Sequence, residues 1–177
     1  MKVPAGFRVG IARYQPADAD DLARFQHRTF GGGSRQVDAA RVAWLDRNPC
    51  RAGDSRDMWI CRRDGAIVGQ QAEIPFELRI GPHQRRAHWA IDLMVDDAWR
   101  LRGVGPALVA TQLEQRPLLA GMNMSEQGLA LYSRAGLTDL GIVPVYLRPL
   151  DIGRAARLAP VPRRVRRVAP LATPALR

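Results

Sequence analysis

The spacing of apolar residues predicts a strand followed by two helices at the start of the chain. Phe7 to Tyr14 alternates apolar and polar positions, as a half-buried strand does. One helical pattern begins near Asp18, with acidic residues at its positive end, and a second stops at Pro49. The glycine-rich stretch Gly31 to Ser34 separates the two helices. It lacks the Lys-Ser/Thr of a phosphate-binding P-loop, so we interpret it as a connection.

A meander of three strands is predicted in the middle of the chain. The dipeptides Asp64-Gly65 and Gly81-Pro82 have the composition of turns. The strands that they separate are Met58 to Arg62, Ala66 to Ile80 and Arg86 to Val95.

The pattern then changes to helix, strand, helix and strand. The first of these helices has Pro106 in its first turn, where a missing N–H costs nothing. A buried strand is expected within Pro117 to Ser125, and the next helix is ended by Gly136 as a left-handed cap. Leu140 to Leu150 is predicted to be a closing strand. The order β-α-α-β-β-β-α-β-α-β predicts an α/β domain with a mixed, largely antiparallel sheet.

Length and composition favour one folded domain. A chain of 177 residues is long enough to bury a core and too short for two ordinary domains plus a linker. We place this domain at residues 1–150. Residues 151–177 are rich in Arg, Ala and Pro without a period, which is typical of a tail or of a linker to a further domain.

Composition argues against a membrane, secreted or metal-binding protein. The hydrophobic fraction of 46% is in the globular range, and no apolar run approaches the roughly 18 residues of a membrane span. The N-terminus has no uninterrupted apolar segment, so we expect a soluble, cytoplasmic protein. Cys50 and Cys61 lack metal-ligand spacing, and so do His27, His83 and His88. No metal is predicted.

The net charge of the chain bears on the kind of partner that it binds. It is +10, and Lys2 is the only lysine, so arginine carries nearly all of the positive charge. A basic balance is compatible with nucleic acid, anionic lipid or an acidic substrate. The arginines are spread along the chain except for Arg163 to Arg167, which lie in the predicted tail. We therefore expect no nucleic-acid partner; a nucleic-acid-binding module is kept as a third hypothesis, which predicts steep salt dependence of binding.

Two glycines just before a predicted helix carry the main chemical signal. The stretch Trp99 to Gly105, WRLRGVG, contains Arg-x-x-Gly-x-Gly and leaves a row of main-chain amides with few side chains over them. The helix N-terminus adds free amides and the positive end of its dipole. Glycine suits such a site because a Cβ would hold an anion away from the backbone and because the turn can require positive φ. The motif favours a pyrophosphate site; the alternative is a simple strand-to-helix turn.

The segment DLMVDDAWRLRGVGPALV, followed by LALYSRAGL, resembles the GNAT superfamily of acyl-CoA-dependent N-acyltransferases. The resemblance is close from Asp92 to Leu137, and the order of elements extends it from Phe7 to Leu147. It implies a mixed, mostly antiparallel sheet of about six to seven strands, flanked by about four helices. It also implies that the strands containing DLMV and LAGMNMS diverge and that a thioester lies in the gap between them.

The resemblance implies a CoA site made mostly of main-chain groups. Arg100, Gly103 and Gly105 match the motif itself, and the backbone from Leu101 to Gly105 would bind the CoA pyrophosphate. The end of the preceding strand would offer main-chain groups to the pantetheine arm, as an added strand would. The predicted CoA-binding residues are Leu93, Met94, Val95, Arg100, Leu101, Arg102, Gly103, Val104, Gly105 and Ser125.

The chain departs from the family pattern at several positions. Asparagine is usual where Ser125 stands and alanine where Gly128 stands, while phenylalanine is frequent at Leu137 and glycine is common at Leu101. Pro106 removes one amide that could have faced the phosphates.

Two residues are the candidates for catalysis. Tyr132 matches the tyrosine that lies beside the thioester sulfur in many members of the family and can protonate the departing thiolate. Its alternative role is core packing. Asp92 is the first candidate for the general base, with Glu73 and Glu77 on the preceding strand as further candidates. The alternative for Asp92 is an ion pair with one of the many arginines.

The sequence as a whole predicts an enzyme, an acyltransferase that moves an acetyl group from acetyl-CoA to an amine of a small molecule or peptide. The resemblance implies direct attack in a ternary complex, with no metal and no covalent enzyme intermediate. The alternative is a non-catalytic CoA-binding sensor or interaction domain of a longer protein.

Overall fold

Five strands form one sheet in the computed structural model of the chain, which describes residues 10–50, 56–142 and 144. The sheet order is β1-β2-β3-β4-β5; neighbours are antiparallel from β1 to β4, and β5 runs parallel to β4. The elements are β1 (Ile11–Arg13), α1 (Ala19–Phe30), α2 (Ala39–Asp46), β2 (Met58–Arg63), β3 (Ala66–Ile80), β4 (His83–Val95), α3 (Val104–Gln115), β5 (Leu119–Ala120) and α4 (Glu126–Arg134).

The predicted order of elements is confirmed from the first strand to the last described helix. The predicted strand count of six to seven is wrong for the described residues, which form five. The predicted closing strand explains the difference, because most of residues 140–150 lie outside the described ranges. So do Phe7 to Val9 of the first predicted strand and the predicted tail at 151–177. Every helix and strand above belongs to one compact unit, Met1–Asp139.

Tight turns join the three strands of the meander where the sequence predicts them. Asp64 and Gly65 have φ of +50° and +79°, the left-handed pair that a two-residue β-hairpin turn requires. Gly81, with φ of +58°, lies in the turn between β3 and β4. The predicted strand boundaries agree with the structure except that β2 ends one residue later, at Arg63, and β4 begins three residues earlier, at His83.

An aspartate caps the start of α2, and a glycine follows the end of α4. Asp38 begins α2 by accepting the amides of Ala40 at 2.7 Å and Arg41 at 3.3 Å. Gly136 follows the C-cap of α4 with φ of +103°, in agreement with its predicted role.

The core lies on both faces of the sheet. Alternation along β2 sends Met58 and Ile60 into the cluster that packs on α1, and Trp59 and Cys61 into the cluster that packs on α3. Gly69 of β3 lies directly under α3: a Cβ at this position would be 2.8 Å from Val104 Cγ1. The absence of a side chain there lets the helix approach the sheet closely. Within the described ranges, none of the helices has the length and apolar character needed to cross a membrane.

Candidate functional site

Strands β4 and β5 meet briefly and then separate. They pair only at His88 with Leu119 and at Trp89 with Ala120, while β4 continues to Val95. Among the described strands, the part of β4 from Ala90 to Val95 therefore has no neighbour on its β5 side. This divergence is the geometry that the family resemblance implies.

A β-bulge interrupts β4 within this open part. Asp92 and Leu93 together face a single residue of β3, Gln71, where the register shifts. Asp92 has φ of +52°, a left-handed conformation that is uncommon for a residue with a side chain. The bulge bends the strand as the gap opens.

The end of β4 directs main-chain groups toward the gap. The amide of Asp96 donates to Val68 O of β3 at 2.9 Å, so this residue faces the meander. Successive residues of a strand alternate in the side to which their N–H and C=O groups point. Val95 and Leu93 consequently present their main-chain groups at the open edge, and Met94 pairs with Gln70 of β3.

A loop of left-handed residues leads from β4 into α3. Gly103 is the N-cap of α3 with φ of +84°, and Leu101 has φ of +60°. The amides of Val104 and Gly105 have no acceptor within the helix, because the regular ladder starts with Ala107, which donates to Gly103 O at 3.0 Å. The loop thus offers main-chain donors at the positive end of a helix.

The two motif glycines are present for different structural reasons. Gly103 adopts a backbone conformation that favours glycine. At Gly105 a Cβ would make only ordinary contacts, 3.5 Å from Leu131 Cδ2 and 3.8 Å from Val95 Cγ2. These contacts also place the start of α3 beside the end of the open edge of β4.

Two arginines flank this loop. Arg100 forms an ion pair with Asp97 at 2.8 Å, and its Nε lies 3.4 Å from Val95 O. The guanidinium of Arg102 lies over the Trp99 ring, 5.5 Å from its centroid. Both arginines are exposed, and Asp97 balances the charge of Arg100, so within the described ranges Arg102 is the guanidinium at this loop without a carboxylate bond.

Tyr132 of α4 lies in the core with its hydroxyl bonded. It is 3% exposed, and its hydroxyl oxygen is 3.0 Å from Gln71 Oε1 and 3.1 Å from Gln112 Oε1. Burial, and then the negative charge of Glu73, raise the pKa of Tyr132 above its ordinary value. The hydroxyl therefore stays protonated, and its one proton is shared between two acceptors.

Asp92 forms an ion pair from the bulge to α2. Its Oδ2 lies 2.6 Å from Arg41 Nη2, and the two side chains are 9% and 16% exposed. This is the alternative that the sequence left open for Asp92. The pair lies on the α1 and α2 side of the sheet, whereas Tyr132 packs with Ala90 and Val109 on the α3 and α4 side. The structure thus places the two candidates on opposite sides of β4.

The other candidate bases also have defined surroundings. Glu73 is fully buried and accepts hydrogen bonds from Arg116, with Nε at 2.6 Å, and from Gln112 Nε2 at 3.1 Å. Glu77 is exposed, on a part of β3 that extends beyond β2. His88 is buried beside the Glu73–Arg116 pair; burial, and then the charge of Arg116, lower its pKa. Within the described ranges, no three His, Cys, Asp or Glu side chains are grouped as metal ligands.

Ser125 has a structural contact of its own. Its hydroxyl accepts the amide of Gly128 at 3.2 Å as the N-cap of α4.

Sequence reasoning missed three buried glutamines. Gln70, Gln71 and Gln112 are at most 1% exposed and bond to the bulge, to Tyr132 or to Glu73. A signal was present, since two adjacent glutamines interrupt the apolar centre of β3. Buried amides must find hydrogen-bond partners, and such a pair indicates a polar network.

Similar solved structures are acetyltransferases. One is an acetyltransferase of Trypanosoma brucei, with 18% identity and a TM-score of 0.57 over 78% of this chain and 98% of that chain. Another is glucosamine-6-phosphate N-acetyltransferase of Arabidopsis thaliana, with 12% identity and a TM-score of 0.56 over 77% and 96%. A third, AAC(6')-Iy in complex with a bisubstrate analogue of CoA, has 15% identity and a TM-score of 0.57 over 78% and 97%.

No protein-family model and no curated protein matches the chain. The structural neighbours confirm the predicted resemblance to the GNAT superfamily at the level of the fold.

Proposed function

Because the chain has the fold of the GNAT acetyltransferases, we propose that it transfers an acetyl group from acetyl-CoA to an amine of a small molecule or peptide. The observation that carries this proposal is the gap between β4 and β5, with the start of α3 beside the open edge of β4. A gap of this kind admits an extended arm next to a strand, and the N-terminus of the helix binds an anionic group at the end of that arm.

The loop before α3 is suited to the CoA pyrophosphate. The main chain from Leu101 to Gly105 supplies donors without side chains in the way at Gly103. Pro106 contributes no N–H, and the nearby charges of Arg100 and Arg102 add attraction for phosphate. The residues present therefore fit a diphosphate.

The open edge of β4 is suited to the pantetheine arm. Leu93 and Val95 present main-chain donors and acceptors there, and an arm with two amide groups pairs with such an edge as an added strand does. In this arrangement the thioester lies near the bulge at Asp92.

Direct attack by the acceptor amine needs a base and benefits from a donor to the leaving thiolate. An amine with a pKa near 10 must lose a proton before attack. Asp92 is the proposed base. Its carboxylate, which is paired with Arg41, would pair instead with the positively charged ammonium group of the incoming acceptor. Tyr132 is the proposed donor: it holds its proton, and its hydroxyl would turn from the two glutamines toward the sulfur.

A second candidate function is non-catalytic binding of CoA. The engagement of Tyr132 by Gln71 and Gln112, and of Asp92 by Arg41, favours it, because both proposed catalytic groups already have partners. The loop and the gap would then serve a sensor or an interaction domain.

Calorimetry with acetyl-CoA tests both functions together. We expect saturable binding by the wild type and weaker binding by Gly103→Val, which places a β-branched side chain in a left-handed conformation. Gly33→Ala is the matched control, because a Cβ there meets nothing within 4 Å. Absence of binding by the wild type at millimolar acetyl-CoA would exclude both functions.

Thiol release in the presence of amines separates the enzyme from the sensor. The panel should begin with amino sugars, since one neighbour is named for glucosamine-6-phosphate, and should include peptides. Turnover supports the enzyme, whereas binding without turnover supports the sensor. In an active enzyme, Tyr132→Phe and Asp92→Asn should each lower kcat by at least about tenfold. Unchanged turnover in either variant would contradict the role assigned to that residue.

A further inference from the structure

The bulge in β4 is held from both faces of the sheet by two adjacent glutamines. Gln70 and Gln71 follow one another on β3, so their side chains point to opposite faces. Gln70 Nε2 donates to Asp92 O at 3.1 Å, and Gln71 Nε2 donates to Ile91 O at 3.0 Å. Both glutamines are at most 1% exposed.

The two glutamine side chains supply hydrogen bonds at the point where the pairing of β3 with β4 is interrupted. The register shift leaves Gln71 without a Cα partner on β4, and the strand ladder is locally disrupted. A buried carbonyl without a donor is costly. The glutamine amides satisfy two successive carbonyls of the bulge and thereby hold it in one shape.

The opposite ends of the two amides are anchored to helices. Gln71 Oε1 accepts the Tyr132 hydroxyl of α4 at 3.0 Å, and Gln70 Oε1 accepts Gln26 Nε2 of α1 at 3.0 Å. Gln26 is itself buried. Each helix is thus connected through one glutamine to the same bulge.

We propose that Gln70 and Gln71 are positioning residues that set the main-chain groups of Leu93 and Val95 for the arm of acetyl-CoA. This inference rests on the proposed function. The glutamines act through the bulge, whereas the loop from Leu101 to Gly105 starts beyond it on a separate element. Loss of either glutamine should weaken binding of the arm and leave binding of the phosphates intact.

The test compares two ligands in three variants of similar side-chain volume. Gln70→Met and Gln71→Met remove the contacts with the bulge, and Gln112→Met is the control, because Gln112 is equally buried and bonds Tyr132 without touching the bulge. We expect the Kd for acetyl-CoA to rise about tenfold in the first two and to stay within about twofold in the control. The Kd for adenosine 3′-phosphate 5′-diphosphate, which carries the diphosphate of CoA and no arm, should stay within about twofold throughout.

Hydrogen exchange of the free protein provides a readout that needs no ligand. The amides of Met94 and Asp96, which face β3, should exchange about tenfold faster in Gln70→Met and Gln71→Met than in the wild type or Gln112→Met. Circular dichroism confirms that each variant is folded.

Gln70→Glu and Gln71→Glu keep the shape of the side chain and make the effect reversible. A protonated carboxyl can donate to the bulge carbonyl as the amide does, and an ionised one cannot. Exchange protection, corrected for intrinsic rates, should therefore be low at about pH 8 and recover at about pH 5.5, because burial favours the protonated form.

The outcomes separate this inference from the proposed function. Equal losses for acetyl-CoA and adenosine 3′-phosphate 5′-diphosphate, or equal effects in Gln112→Met, would show general destabilisation and overturn the positioning role. Wild-type exchange in both methionine variants would also overturn it. If the wild type binds no acetyl-CoA, the proposed function and the positioning role both fall, while accelerated exchange would still show that the glutamines hold the bulge.

Discussion

Gly69→Ala should destabilise the protein by pushing α3 away from the sheet. A Cβ at Gly69 would lie 2.8 Å from Val104 Cγ1, 3.1 Å from Leu108 Cδ1 and 3.4 Å from Met94 O. Carbon atoms in contact are normally about 3.5–4.0 Å apart, so the buried Val104 side chain, or α3 with it, must shift by about 0.7 Å. Overpacking costs about 1–3 kcal/mol, and replacing a glycine in a strand offsets about 0.5–1 kcal/mol of this. With the middle value of each range, we expect a net loss of about 1 kcal/mol.

Thermal and urea unfolding measure this loss directly. The expected decrease in Tm is about 2–8 °C. Acetyl-CoA affinity should fall as well, because Val104 begins the helix that supplies the phosphate donors. Gly105→Ala is the control for stability, since its Cβ would make only ordinary contacts and alanine favours a helix. A Gly69→Ala variant as stable as the wild type would refute the inferred close approach of α3.

Three further predictions concern single side chains. Tyr132→Phe should lower the free energy of unfolding by about 1–3 kcal/mol whether or not the protein is an enzyme, because buried acceptors lose their donor; an unchanged urea midpoint would argue against the buried hydroxyl. Leu101→Gly should raise the free energy of unfolding by up to about 1 kcal/mol, because glycine adopts the left-handed conformation of this position without strain and the fully exposed leucine has no packing to lose. A lower free energy on urea unfolding would mean that the leucine makes stabilising contacts. Burial lowers the pKa of His88 in the folded protein below its ordinary value of 6.5. On acidification the unfolded chain therefore binds a proton at His88 before the folded protein does. The contribution of neutral His88 to the free energy of unfolding is present above about pH 6.5 and is lost as pH falls. His88→Leu should therefore lose less stability than the wild type between about pH 7.5 and 5. Equal losses in the two proteins on acidification would contradict this.

Local patterns were sufficient to predict the fold of the described unit. Alternation and turn dipeptides located the meander, because a strand buried on one face and a left-handed turn both depend on nearby residues. The same holds for the cap at Gly136 and for the loop at Gly103. The described residues form five strands rather than the predicted six to seven, and most of the predicted closing strand, residues 140–150, lies outside the described ranges.

The surroundings of the candidate catalytic residues could not be predicted in this way. Asp92 pairs with Arg41, 51 positions earlier, and Tyr132 with Gln71, 61 positions earlier. Such contacts depend on how helices dock on the sheet, and neither periodicity nor a motif specifies a partner at that distance. The family resemblance identified Tyr132 as a candidate but did not indicate that its hydroxyl is bonded in the core.

If the chain is the proposed acyltransferase, the brief contact between β4 and β5 has a consequence for the choice of acyl group. Two residue pairs join β5 to β4, and Ala90 of β4, Val109 of α3 and Tyr132 of α4 form one buried cluster. A larger or smaller side chain at Val109 would change how α3 and α4 pack on β4. In the proposed transferase, tolerance for longer acyl chains could therefore evolve by substitution of a core residue such as Val109.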